Sequence, residues 1–527
     1  MRIGIDFGTT FSLSACLAVG VPTPLLKDNL SIPSVFYYDS NAGVLTGQSA
    51  ENAGESINNV KNMKREIKMD IKSSTTNFIA DGRTFTNKQI VGYILKEVVE
   101  TANELIKENA LVDDGNNEVI ISIPAKFGLR EMEFIRDAAQ IKKEDGGPGL
   151  NNVAFIREPV AAALAYFNAV SLSDNTNILV YDLGGGTCDV AVVTSKNSRK
   201  EQYEVVDYGM LRTGGRLWDE ELVKYAISQL QPLCPNTQLD GSTPQAFHYR
   251  EEIRKKAEKI KRLLSTSSNA YLRVVIDAAI KEILITREKF EELTAHLINQ
   301  TMDLVKKVVA AVKQKDPSLK IDYIVCVGGS SNMPQVEAKI KEMFSDMPQE
   351  NIRKFKPGEA IALGAAIYSK YVTSDDLNNN PETIHVQNIA SFSYGARYIQ
   401  NYEKYKDKNR HRIFNIIKKG ELLPAQGKST CCALEGRDGI VSQHIHMFEA
   451  DNEYNRDEPY LPELGKHIGV VEVSGIPNLE EGDDFITTMK ISPSGLMTVT
   501  AIHVKSQKEG TVEIKLRGFG DDDDDDD

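Results

Sequence analysis

Two short segments of this chain echo each other, and the echo limits what it can fold into. An apolar run at 3–5 leads into Asp6-Phe7-Gly8-Thr9-Thr10, and another at 178–181 leads into Asp182-Leu183-Gly184-Gly185-Gly186-Thr187. Each reads as a strand that ends in Asp and turns through Gly and Thr. Glycine admits backbone with positive φ and lets the main chain come close to a ligand. Successive N–H groups in such a turn cradle a phosphate, and the Thr hydroxyls add donors. The Asp at each strand end suits metal-bound water better than phosphate, because like charges repel. One such loop alone could be a glycine hairpin turn. Two of them, about 176 positions apart, read as similar halves facing each other across a nucleotide cleft. A third glycine element, Gly328-Gly329-Ser330-Ser331, also follows an apolar strand and suits an adenosine or phosphate wall. These segments lack the lysine or the glycine spacing of a Walker A loop or a dinucleotide fingerprint.

The 527 residues predict two to four domains. The formal net charge is -13, and seven of those charges are the run Asp521 to Asp527. No large basic field exists to hold a phosphate backbone, so nucleic acid is not the expected partner. No apolar run reaches membrane-spanning length, and no membrane association is expected. The start, MRIGIDFGTT, lacks a secretory pattern, so a cytoplasmic location is expected. The cysteines, Cys16, Cys188, Cys234, Cys326, Cys431 and Cys432, show no metal-binding spacing and read as buried or half-buried thiols. Cys431 and Cys432 would alternate faces on a strand.

Residues 1–372 alternate strand-like runs (119–123, 178–181, 323–327) with helical patterns. Long amphipathic helices are expected over 249–264 and 288–312, the second capped by Thr286. The polar stretch around Asn378-Asn379-Asn380-Pro381 reads as part of a linker over 373–390. From 391 to 520 the texture is β-rich, with alternating segments at 468–473, 489–491 and 497–504 and turns at Ser474-Gly475 and Pro493-Ser494-Gly495. Residues 521–527 bury nothing and are expected to be disordered.

Taken in order, these segments resemble the 70-kDa heat-shock chaperone family (DnaK-type). GIDFGTTFS, KREI at 64–67, ISIPAKF at 121–127, IREPVAAALAYF at 156–167 and YDLGGGTCDVAVV at 181–193 carry the likeness. It continues through GGRLWDEEL from Gly214, AEKIKRLLS at 257–265, ITREKFEEL from Ile285, VGGSSNMP from Val327 and GEAIALGAA from Gly358. The likeness is dense over 1–371 and thinner over 384–518. It implies an α/β actin-like two-lobed ATPase with a duplicated ribonuclease-H-like core and outer subdomains at about 37–110 and 218–295. A β-sandwich resembling a peptide-binding domain would follow.

The resemblance also implies roles. Lys64 looks like the catalytic lysine, able to orient attacking water and stabilise charge on the transferred phosphoryl group. Outside that frame, Lys64 reads as part of a solvated basic patch with Lys61, Arg65 and Lys68. Glu158, ahead of Pro159, reads alone as helix-start electrostatics; by resemblance it sits near the Mg²⁺ waters and the attacking water. Asp6, Asp182 and Asp189 look like carboxylates around Mg²⁺ and bound K⁺, and Thr187 resembles the threonine near the γ-phosphate. Gly8, Thr9, Thr10, Gly184, Gly185, Gly186, Gly214, Gly215, Gly328, Gly329 and Ser330 would line ATP or ADP. Glu258, Lys261, Arg262 and Ser265 share one helix face by spacing. The resemblance makes that face the nucleoside site, with Glu258 and Lys261 at ribose and Arg262 and Ser265 at adenine.

Several positions depart from the family. Asn332 stands where an arginine covers adenine, which predicts weaker nucleotide binding. Arg216 and Leu217 replace a Glu-Asp pair, reversing the charge. Met132 stands at the interdomain-signalling arginine. ETIHVQNIA at 382–390 replaces a leucine-rich linker and should dock less firmly. NYEKYKDKNRHRIF at 401–414 replaces the short glycine loop and substrate arch. The family's helical lid has no counterpart, so fast peptide release is expected.

An ATP-hydrolysing chaperone without a lid is therefore the expected function, with unfolded or extended polypeptides as clients. A J-domain co-chaperone and a nucleotide exchange factor are the implied partners. The alternative is a regulatory or ribosome-associated co-chaperone that binds ATP without cycling on peptides. A small-molecule kinase on the same fold fits less well, because it has no use for the β-rich region.

Overall fold

The computed structural model describes residues 2–54, 59–71, 77–111, 119–125, 127, 129–170, 172–197, 202–370, 386–387, 390, 392–399, 411–418, 421, 425–433, 435–450, 461–491 and 497–513. Most of the linker, the charged stretch at 401–410, the turn at 493–495 and the tail at 521–527 lie outside the described residues. The chain divides into two compact units. One is Met1–Ala125 with Ile135–Glu201 and Asp207–Ile384; the other is Lys126–Phe134 with Gln202–Val206 and His385–Asp527.

The first unit repeats one sheet plan. Five strands of its first sheet lie in the order Val153–Arg157, Val119–Ile123, Ile3–Asp6, Phe11–Ala18, Val21–Leu25. Ile3–Asp6 is antiparallel to Phe11–Ala18 and parallel to Val119–Ile123. The second sheet places Ile352–Lys354, Tyr323–Val327, Thr176–Leu183 and Cys188–Asn197 in the matching order. Its central strand, Thr176–Leu183, is antiparallel to Cys188–Asn197 and parallel to Tyr323–Val327. Each glycine loop thus leaves the central strand of its sheet, where both neighbours fix its direction. The central strands read as nearly continuous apolar runs because they are buried on both faces.

The two halves meet through small residues. Helices Glu158–Ala169 and Ala360–Tyr368 are buried on almost every face, and their sequences are rich in alanine. A Cβ on Gly364 would overlap the carbonyl oxygen of Ala161, and one on Gly4 would overlap the backbone at Ala366. Backbone thus lies against backbone along this seam, and no flexible side chain is available to yield.

The long helices follow their sequence signals. Arg287–Lys315 is capped by Thr286, whose side chain accepts from the Lys289 N–H. Pro244–Leu264 starts five residues ahead of the apolar periodicity, because Thr243 caps it and Pro244 takes its first turn.

The second unit holds two four-stranded sheets. One runs His411–Ile417, Ser393–Ile399, Arg437–Ala450, Lys466–Leu479; the other runs Ala425–Cys432, Asp484–Ile491, Met497–His503, Lys508–Glu513. Met497, Val499 and Ala501 alternate inward and share one core with Val471, Val473, Phe485 and Met489. Ser474-Gly475 does not turn the chain as expected. It lies inside the strand Lys466–Leu479, where the register shifts opposite Val441–Gln443 and Gly475 takes φ of 71°. The glycine marks a bulge, and its positive φ serves that irregularity. Cys431 is half-buried and Cys432 exposed at the end of their strand, as alternation requires. Among the described residues, no helix is long and apolar enough to cross a membrane.

The backbone contact at Gly364 generates a prediction. Gly364→Ala should cost about 1–3 kcal/mol of stability, as overpacking does. Gly358→Ala, where a Cβ meets nothing within 4 Å, should cost far less. Thermal denaturation of the two variants checks the difference.

Candidate functional site

A cleft of about 820 Å³ opens in the first unit between the glycine loops. That volume suits a bound small molecule of nucleotide size. The loops approach each other closely. A Cβ on Gly185 would overlap the Thr10 hydroxyl, and one on Gly186 would meet Thr9 and Met69. The Gly215 N–H donates to the Gly184 carbonyl at 2.9 Å and the Arg216 N–H to the Gly185 carbonyl at 2.8 Å. Gly214 packs on this loop so tightly that its Cβ would overlap Gly185 and Gly186. Gly328, at φ of 80°, leaves room for the Asp182 carboxylate that any side chain would displace.

Three carboxylates, Asp6, Glu158 and Asp182, line the floor, and a fourth, Asp189, lies buried beneath it. Asp182 and Asp189 are direct cross-strand neighbours. Asp189 accepts from the Ala125 N–H at 2.8 Å, and Ser122 donates to Asp6 at 3.2 Å. Among the described residues, Asp182 Oδ1 and Asp189 Oδ2 are buried with no hydrogen-bond partner. Burial, and then the neighbouring Glu158 charge, pushes Asp6 up to about 7. Asp189 is pushed up to about 7 by burial and then Glu158, and Asp182 is also driven upward by burial and its acidic neighbours.

The lysine at this floor is Lys68. Its ammonium lies 2.5 Å from Glu158 Oε1, and both side chains are about 5% exposed. It also stands 5.8 Å from the Phe7 ring centre. Lys64 is not among the residues lining the cleft. It pairs with Asp70 at 2.5 Å and is partly exposed. The short turn Ile67–Asp70 explains the exchange. Glu66 enters it with φ of 57°, and Ile67 and Lys68 turn inward. Lys64 and Asp70 close the ends of that turn. Periodicity carries no signal for so local a reversal, and Lys68 read only as one member of a basic patch.

The other sequence candidates gather around the cleft. Gly8, Thr9, Thr10, Gly184, Gly185, Gly186, Thr187, Gly328, Gly329 and Ser330 line it, as do Glu258, Lys261, Arg262 and Ser265. Gly214 and Gly215 support the loop from behind. Asp189 is fully buried beneath the floor. Lys261 is less available than expected: it donates to Asp219 at 2.8 Å and to the Gly215 carbonyl at 3.0 Å. Arg262 pairs with Glu258 at 2.7 Å and lies 5.1 Å from the Phe11 ring centre. Phe11 was not singled out in the sequence, although it directly follows the first glycine loop. Asn332 lines the same end, and its side chain donates to the Gly329 carbonyl at 3.1 Å.

The orphaned carboxylate oxygens test whether a cation and a polyphosphate fit here. Three buried acids, Glu158, Asp182 and Asp189, and the half-buried Asp6 face one ammonium, and once ionised they carry negative charge that a divalent ion would relieve. Among the described residues, no three acid, histidine or cysteine side chains converge to ligate a metal directly. The acids therefore suit a hydrated Mg²⁺ bound chiefly to phosphate oxygens. The facing glycine loops, rich in N–H and hydroxyl donors, suit those phosphates.

An ion-pair clasp holds Arg216, which lines the cleft. Arg216 lies 3.2 Å from Glu66, joining the second glycine region to the turn that carries Lys68. The charge reversal at Arg216 is thus matched by an acid facing it.

A family model described as Hsp70 protein matches residues 2–527.

Two predictions follow from these groups. Raised carboxylates keep protons in the folded state that the unfolded chain releases near pH 4. Without added cations, stability should fall as pH rises from about 4 to about 7. Asp189→Asn should flatten that fall, seen as thermal midpoints against pH. For the clasp, Arg216→Glu should speed nucleotide dissociation about two- to fivefold. Adding Glu66→Arg should restore the slower rate in stopped-flow release of a fluorescent ADP analogue.

Proposed function

The chain belongs to the Hsp70 family, and from that premise we propose that it is a chaperone powered by ATP hydrolysis in the cleft between the two glycine loops. Family membership makes it an ATP-binding heat-shock-type chaperone. What supports the finer reading is one arrangement: two donor-rich loops in near contact above a floor of buried acids. The loops would hold the phosphates through Thr9, Thr10 and Thr187 and through their backbone N–H groups. Arg262, over Phe11, would offer a cationic plane to the base, and Glu258 would meet the ribose. Asp6 and Asp182 would orient the waters of a bound Mg²⁺, which would supply charge neutralisation at the phosphate oxygens. Glu158 would orient the attacking water and accept its proton.

The resemblance proposes Lys64 as the catalytic lysine. To reach a phosphate it would have to leave Asp70, whereas Lys68 already stands at the floor. Lys64 thus acts in this reading as a brace for the turn that delivers Lys68. The second unit would take extended polypeptide segments, pairing through strand edges. A J-domain co-chaperone and an exchange factor are the partners this cycle requires.

Single-turnover hydrolysis of bound ATP, with an extended apolar peptide titrated in ATP and in ADP, tests the proposal. Glu158→Gln should slow turnover about a hundredfold or more. Lys64→Ala should slow it less than about threefold, the effect of losing a partly exposed ion pair. Peptide affinity should differ between nucleotides. Hydrolysis without any peptide response would make the chain a regulatory partner, and absence of ATP binding would overturn the reading altogether.

A further inference from the structure

We propose that the Lys68 ammonium is a built-in monovalent cation, tethered at the floor of the cleft where it replaces a bound potassium ion. The inference rests on the ATP-site reading above but concerns this chain's own residue.

Three observations carry it. Lys68 is 6% exposed, yet it lines the cleft and lies 2.5 Å from Glu158. Its surroundings are those of a cation site. Asp6, Asp182, Asp189 and Glu158 are all acidic, the Phe7 ring face stands 5.8 Å away, and two buried carboxylate oxygens have no partner. Lysine is brought there by a specific local device. The turn Ile67–Asp70 begins from left-handed Glu66, is closed by Lys64–Asp70, and is pinned where Asn87 donates to the Asp70 carbonyl at 3.3 Å.

Burying an ammonium is unfavourable unless acids surround it. Burial lowers the tendency of Lys68 to hold its proton, but Glu158, Asp6 and Asp189 together reverse that effect and keep it charged. An ammonium has the charge and nearly the size of a potassium ion. It presents N–H donors to the oxygens that potassium would coordinate. Because it is covalently attached, it is present at any bulk salt composition. A cation-free cluster of four acids would need to recruit an ion; this one already holds its first. The second charge is left for the divalent ion that accompanies nucleotide.

The claim predicts indifference to the monovalent salt. The full chain is compared in potassium, sodium, ammonium and choline chloride at equal ionic strength, so that screening is constant. Two quantities are read: the thermal midpoint without nucleotide or magnesium, and the dissociation constant of Mg·ADP. In the wild type, ADP affinity should vary less than about twofold across the four salts, and the midpoint should be unchanged by exchanging choline for potassium. Lys68→Met should create a dependence: about tenfold weaker ADP binding in choline, recovered in potassium or ammonium, with a matching rise in midpoint.

A wild type whose affinity and midpoint rise strongly with potassium over choline would overturn the proposal. So would a folded Lys68→Met that no cation restores. If the variant does not fold, the wild-type salt series still decides. If the wild type binds no nucleotide in any salt, the ATP-site reading fails. The midpoint series would then separately show whether the acid cluster needs an added ion.

Discussion

Backbone pressed against backbone is the constraint from which the site follows. Where Gly4 meets Ala366 and Gly364 meets Ala161, there is no space for one more carbon. The separation of the two halves is therefore set by main-chain contact, not by side chains that could repack. Asp6 and Asp182, each at the end of a central strand, are carried to fixed positions on either side of the cleft. Asp189 is fixed against Asp182 by strand register. The acids are crowded because the sheets and the seam are unyielding.

Crowding then sets the electrostatics. Burial first, and then the Glu158 charge, raises Asp6 and Asp189 to about 7. The strain is one of charge and not of geometry, so a cation relieves it without any movement of the scaffold. Lys68 supplies one charge from within. Among the described residues, Asp182 Oδ1 and Asp189 Oδ2 remain buried without a hydrogen-bond partner. A site arranged this way couples polyphosphate binding to cation binding, because the phosphates themselves add negative charge that the floor cannot accept alone.

The architecture was largely legible in the sequence. The repeated strand-Asp-Gly-Thr segment announced two equivalent sheets, and apolar runs marked their central strands. The four-residue face of Pro244–Leu264 was also legible, because helix spacing places Glu258, Lys261, Arg262 and Ser265 together by geometry alone. What escaped depended on contacts between distant segments or on reversals of a few residues. Lys68 lines the cleft and Lys64 does not, because a four-residue turn is entered through left-handed Glu66. Phe11 serves Arg262 across about 250 positions of chain. Lys261 is held by Asp219, a residue 42 positions earlier in the chain. The Ser474-Gly475 pair reads as a turn by composition, yet pairing on both sides keeps the strand running and leaves a bulge.

Departures from the family pattern acquire sense when their neighbours are considered together. Arg216 alone is a reversed charge beside a phosphate loop. With Glu66 at 3.2 Å it becomes one end of a clasp, and Glu66 is also the residue whose left-handed backbone admits the Lys68 turn. The clasp and the buried lysine are therefore adjacent outcomes of one local rearrangement. Opening the clasp would disturb the turn that positions Lys68 against Glu158. The ion pair to Arg216 and the ion pair to Glu158 are thus carried by three consecutive residues, Glu66, Ile67 and Lys68.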